Sequence, residues 1–121
     1  SLPLLTPPTP DTLDTSPVEY PIELGDENVS AKVALILYTK EEKTGTIRAS
    51  LNDSELKFKK STNDGLSIFE VPMEYVKSGE NTLNLSCTQG SPITLLDASI
   101  FFYRNSDDPD TKELAAICFD N

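Results

Sequence analysis

From Val18 onward, apolar and polar residues alternate in short runs cut by turn residues. Val18-Glu19-Tyr20-Pro21-Ile22-Glu23-Leu24 has the period of two that belongs to a half-buried strand. Pro21 has no N–H to give a ladder, so this strand is expected at a sheet edge or with an irregular start. After the turn Gly25-Asp26-Glu27-Asn28, residues Ala31 to Thr39 are apolar on both faces, which predicts a central strand. Ile47, Ala49 and Leu51 share one face of the next strand. Asn52-Asp53 makes a tight-turn pair, and Leu56 and Phe58 continue the alternation as a hairpin.

Leu66 to Val71 follows the loop Ser61-Thr62-Asn63-Asp64-Gly65, and Pro72 closes it. The turn Ser78-Gly79-Glu80-Asn81 leads to a strand with Leu83, Leu85 and Cys87 in register. The last long strand runs from Ile93 to Arg104. Strict alternation puts Leu96, Ala98, Ile100 and Phe102 on one face and Ile93, Leu95, Phe101 and Tyr103 on the other. Glu113 to Phe119 reads as a final strand or a short helix, and no segment carries a convincing amphipathic helix. Seven or eight short strands with turn signals between them predict an all-β antiparallel β-sandwich. An immunoglobulin-like sandwich is the competing topology, although the Cys…Trp…Cys constellation is missing.

Residues 1–17, SLPLLTPPTPDTLDTSP, break this pattern. Their Pro/Thr composition predicts an extended linker ahead of a sandwich domain over 18–121. Leu2, Leu4 and Leu5 are candidates for docking on a neighbouring domain. A chain starting at Ser1 reads as a fragment of a longer protein.

Composition narrows the function classes. The 121 residues include 10 Lys plus Arg and 20 Asp plus Glu, a net charge of −10, with neither His nor Trp. Without His, most general-base chemistry, the Ser-His and Cys-His nucleophile pairs and His-ligated metals drop out. The acidic balance repels phosphate backbones, so no nucleic-acid partner is expected. No apolar run reaches the length of a membrane span. Cys87 and Cys118 either form a bridge, worth roughly 3–4 kcal/mol, or are two buried thiols. The sequons at Asn28, Asn52 and Asn84 lean weakly toward a secreted, extracellular or envelope setting.

Several segments together resemble a known family. They are Ile22-Glu23-Leu24-Gly25-Asp26, Ile47-Arg48-Ala49-Ser50-Leu51-Asn52, Phe69-Glu70-Val71-Pro72, Val76-Lys77-Ser78-Gly79-Glu80-Asn81-Thr82-Leu83 and Ile93-Thr94-Leu95-Leu96-Asp97-Ala98-Ser99-Ile100. Over about 18–104 the chain resembles the jelly-roll, galactose-binding-like accessory domains attached to glycoside hydrolases. It departs from their pattern at Asp53, where a Gly usually follows the hairpin Asn. The resemblance implies a jelly-roll sandwich of about eight strands, with no ligand residue that carries over. It implies a non-catalytic accessory module of a carbohydrate-active protein, with a catalytic domain of the same polypeptide and carbohydrate as partners. The alternative is an immunoglobulin-like protein-interaction module.

No cofactor and no catalytic residue are expected. Glu41/Glu42 and Asp107/Asp108 are paired carboxylates, but neighbours on a loop point apart rather than across a cleft. Asp107, Asp108 and Asp110, and separately Asp26, Glu27 and Asn28, are hard-oxygen candidates for calcium without EF-hand spacing. Tyr20, Tyr38, Tyr75 and Tyr103 could stack on sugar or pack in the core. Lys57, Lys59 and Lys60, alternating with Phe58, either blunt an edge strand or take an anion.

Overall fold

The computed structural model describes residues 11–25, 31–40, 46–88 and 92–120. Among these residues, nine strands form two antiparallel sheets. They are β1 (Asp11–Leu13), β2 (Val18–Leu24), β3 (Lys32–Thr39), β4 (Ile47–Leu51), β5 (Ser54–Glu55), β6 (Lys57–Ser61), β7 (Leu66–Val71), β8 (Gly79–Cys87) and β9 (Ile93–Tyr103). A 3-10 turn spans Met73–Tyr75, and one helix, α1, spans Pro109–Phe119. One sheet has the order β1-β9-β3-β7-β6 and the other β2-β8-β4-β5.

The pairings nest around the tight turn at Asn52-Asp53. β4 pairs with β5, β3 with β7, β2 with β8 and β1 with β9, all antiparallel. A two-stranded ribbon doubled at that turn and rolled across both layers gives this order, which is jelly-roll connectivity. The immunoglobulin order does not occur here: β1 and β2 lie in different sheets, where that fold pairs its first two strands.

The turn chemistry accounts for the apex of the ribbon. Asn52 and Asp53 have φ of 51° and 69°. Two successive left-handed residues make the mirror-image turn whose twist fits a hairpin, and Asn and Asp tolerate it at modest cost. The hairpin is shorter than the alternation suggests. The chain stays in the four-stranded sheet only through Ser54 and Glu55, then crosses at buried Leu56 so that β6 pairs with β7.

Alternate side chains from both layers fill the space between them. Leu13, Leu35, Leu37, Leu51, Leu83, Leu85 and Leu95 are completely buried there. Each such leucine contributes about 2 kcal/mol of transfer free energy. β3 lies at the centre of its sheet. Its second apolar face, Ala34 and Ile36, packs with Ile68 and Phe101 under Ala115 and Cys118 of α1.

Edges are protected by ordinary means. β2 is an edge strand with Pro21 opposite Thr82. β1 and β5 are very short, and β6 carries lysines and a register shift between Phe58 and Lys60.

Two expectations, the linker bounds and the faces of β9, are corrected, and two open alternatives are resolved. The packed chain already includes Asp11–Leu13, so the 1–17 linker reading fails at its C-terminal end, where Leu13 pairs with Ile93. Glu113 to Phe119 is helical, and the helix begins at Pro109. In β9, Ile93 and Leu95 face the same core as Ala98 and Ile100. The register jumps from Tyr38↔Asp97 to Thr39↔Leu95, and the extra residue flips the parity. Cys87 and Cys118 are unbridged. Cys87 lies between the sheets and Cys118 on the sheet-facing side of α1, in separate apolar clusters.

The linker residues 1–10, with Leu2, Leu4 and Leu5, lie outside the described residues. So do Asp26, Glu27, Asn28, Glu41 and Glu42.

Candidate functional site

Three of the four sheet faces are consumed by packing: the two inner faces by the shared core, and much of the outer face of the five-stranded sheet by α1. The fourth, the outer face of β2-β8-β4-β5, carries polar side chains. It follows from the same alternation that builds the core. With Ile47, Ala49 and Leu51 pointing inward, Arg48 and Ser50 point out. With Leu83, Leu85 and Cys87 inward, Thr82, Asn84 and Ser86 point out.

Register sets these residues side by side. Ser50 is opposite both Asn84 and Glu55, Arg48 is opposite Ser86, and Glu19 is opposite Asn84. Arg48 reaches diagonally to Glu55, with Nε and Nη2 each 3.0 Å from the same carboxylate oxygen. Both side chains are exposed, so the pair adds little stability. Its effect is to hold the guanidinium over the sheet. Pro17, Arg48, Ser50, Asp53, Glu55 and Asn84 border an open depression of about 390 Å³. It offers a fixed guanidinium donor, carboxylate acceptors, and hydroxyl and amide groups that do both.

The residues singled out from sequence scatter around this face. Tyr20 is buried in the core, and its hydroxyl donates to Asp11 Oδ2 at 2.5 Å. Burial, together with that bond and the Asp11 charge, raises its pKa well above the ordinary tyrosine range. Tyr75 is half-buried against the core, and Tyr103 packs on Phe101 and Phe119 beside α1. Tyr38 is exposed, with its ring against Gly65. None of the four borders the polar depression.

Asp108 has a structural task. Its carboxylate caps α1, accepting from Thr111 N at 2.9 Å and Thr111 Oγ1 at 2.8 Å, and these bonds lower its pKa. Among the described residues, no group of three or more acidic or cysteine side chains is arranged to hold a metal. Lys57, Lys59 and Lys60 do lie on an edge strand, and Lys59 Nζ donates to Cys118 O at 2.8 Å. That places a cation on the carbonyl end of α1. Phe58 is half exposed and meets Phe69 edge-on, with ring centroids 5.6 Å apart.

The sequons divide as well. Asn84 stands on the polar face, while Asn52 is tied up internally. Its Nδ2 donates to Tyr75 O and Asn81 Oδ1, each at 2.8 Å, and its Oδ1 accepts from Thr82 N at 2.9 Å. Asn81, fully buried, accepts from Lys77 N and donates to Lys77 O and Gly79 O.

Arg48, Ser50, Glu55 and Ser86 were not singled out as site residues, although Arg48 and Ser50 lie in a segment that carries the resemblance and Ser86 in the Asn84 sequon. Their outward parity was readable, but nothing in the sequence distinguishes an open outer face from a covered one. No family model matches the chain, and no curated protein matches it significantly. No helix among the described residues is long and apolar enough to cross a membrane.

Proposed function

We propose that this domain is a non-catalytic accessory module of a larger carbohydrate-active protein. It sits beside a catalytic domain of the same polypeptide and meets glycan through the outer face of β2-β8-β4-β5. The observation that carries this reading is the mixed donor and acceptor set of Arg48, Ser50, Asp53, Glu55 and Asn84 around an open depression. Sugar hydroxyls both donate and accept, and such a set can pair them. The depression is shallow and has no aromatic ring, so it suits the edge of an extended chain held weakly rather than a sugar stacked in a pocket.

The resemblance in sequence adds support. Its turn residues have structural work here: Gly79 has φ of 88°, Asn81 closes the turn that precedes β8, and Asn52 ties the ribbon apex to it.

Affinity electrophoresis through gels containing individual neutral and acidic polysaccharides tests the reading. Retardation by at least one polysaccharide, relieved by Arg48→Ala with Asn84→Ala, is the expected result. Unretarded migration through the whole panel contradicts glycan contact at this face.

A further inference from the structure

A second depression, of about 580 Å³, lies where the last turn of α1 meets β3 and β7. Lys32, Lys59, Glu70, Pro72, Met73 and Phe119 are among the residues around it. Although the chain carries a net charge of −10, cations collect here. Lys59 Nζ bonds Cys118 O, Lys32 Nζ stands 5.9 Å from the centre of the Phe119 ring, and Lys60, outside the lining, is the register partner of Ile68, which packs in one cluster with Cys118. Lys57 is the register partner of Glu70 across β6 and β7, although no ion pair joins the two side chains.

One lysine suffices to satisfy the end of a helix. Lys59 does this with one of its three N–H groups, leaving two. Lys60 has neither a hydrogen bond nor an ion pair among the described residues, and Lys32 has only its ring contact. Pro72, Met73 and the Phe119 ring supply apolar surface beside these charges. A sugar acid has a matching division, with a carboxylate on one edge of the ring and C–H groups on its faces. The distant acidic residues are screened over about 8 Å at physiological salt, so the local lysines, set against Glu70 alone in the lining, govern the encounter.

We propose that this depression binds an acidic oligosaccharide. Lys32 and Lys59 take its carboxylates, Lys60 adds positive charge from beside the depression, and Pro72, Met73 and Phe119 support the ring faces. The oligosaccharide part rests on the glycan reading above; the preference for acid rests on the lysines alone.

Calorimetric titration of the whole domain tests this with a galacturonic acid oligomer, the neutral galactose oligomer of equal length, and inorganic sulfate. The acidic oligomer is expected to bind, more weakly as salt rises. Lys32→Ala with Lys60→Ala should weaken it at least about ten-fold, the scale of one lost charge-assisted contact. Lys59 is left in place to hold α1.

Equal affinity for the acidic and neutral oligomers overturns the proposal, as does unchanged affinity in the double lysine variant. Sulfate binding as tightly as the oligomer also overturns it, reducing the site to a simple ion site. Neutral binding that depends on Arg48, with none for the acidic oligomer, sinks this inference and spares the glycan reading. Binding of neither oligomer, together with free migration through the whole polysaccharide panel, sinks both.

Discussion

Asn81 and Ser67 are both fully buried polar residues with opposite environments. The Asn81 amide is fully engaged with Asn52, Lys77 and Gly79. Ser67 Oγ is the one buried side-chain polar atom without a partner among the described residues. A satisfied buried group stabilises and an unsatisfied one costs. Asn81→Ala is therefore expected to lower unfolding stability by about 2–4 kcal/mol, since it strands several backbone groups and Asn52. Ser67→Ala is expected to be neutral or to raise stability by up to about 1 kcal/mol. Urea unfolding of both variants checks the pair, and a Ser67→Ala loss beyond about 1 kcal/mol would show that the hydroxyl has a partner. The Asn81 turn was readable from Gly79 and Asn81 together. The bond across to Asn52 was not, because Asn52 already had a sufficient local role in its own turn.

At the scale of elements, α1 is the piece that strict periodicity hid. Leu114, Ala115, Ile117, Cys118 and Phe119 fall on one side of the helix but only in its C-terminal half, a run too short to show its period. Its start was legible in principle, as Asp108 followed by Pro109 is an N-cap with proline in the first turn. The doubly apolar β3 also signalled a cover on both faces, without saying which segment supplied it. β9 shows a different limit: a one-residue bulge between Leu95 and Asp97 reverses parity and leaves no mark in composition. β1 is too short for any period to show. By contrast, Pro21 on an edge, β3 at a centre and the Asn52-Asp53 turn follow from local chemistry alone, and the sequence was sufficient for them.

The contact of α1 with its sheet has a pH signature. Burial raises the Cys118 thiol from 9.0 to about 11, against the opposing pull of Lys60 and Lys59. The folded state therefore keeps a proton that the unfolded chain releases. This contribution is fully present below pH 9, declines as pH rises, and is gone above about 11. Tyr20, also held protonated by burial, acts in the same direction at higher pH. Urea midpoints measured between pH 8 and 11 should fall, and Cys118→Ala should flatten the slope without abolishing it. An unchanged slope in that variant would mean that the thiol is open to water.

For the whole molecule, the placement of the cysteines fixes the response to reductant. Cys87 and Cys118 sit on opposite faces of the five-stranded sheet. The melting temperature should be the same with and without dithiothreitol. Loss of a 3 kcal/mol bridge would lower it by roughly 10 °C or more, so a drop of that size would contradict the fold assigned here.

Among the described residues, the arrangement of layers also leaves one polar face uncovered once core and helix are accounted for. Amide NMR of the labelled domain, titrated with a neutral polysaccharide that retards it in gels, reads that face directly. Shifts concentrated at Arg48, Ser50, Glu55, Asn84 and Ser86 are the predicted result. Shifts confined to the loops at the ends of the sandwich, with these five unmoved, would contradict the account.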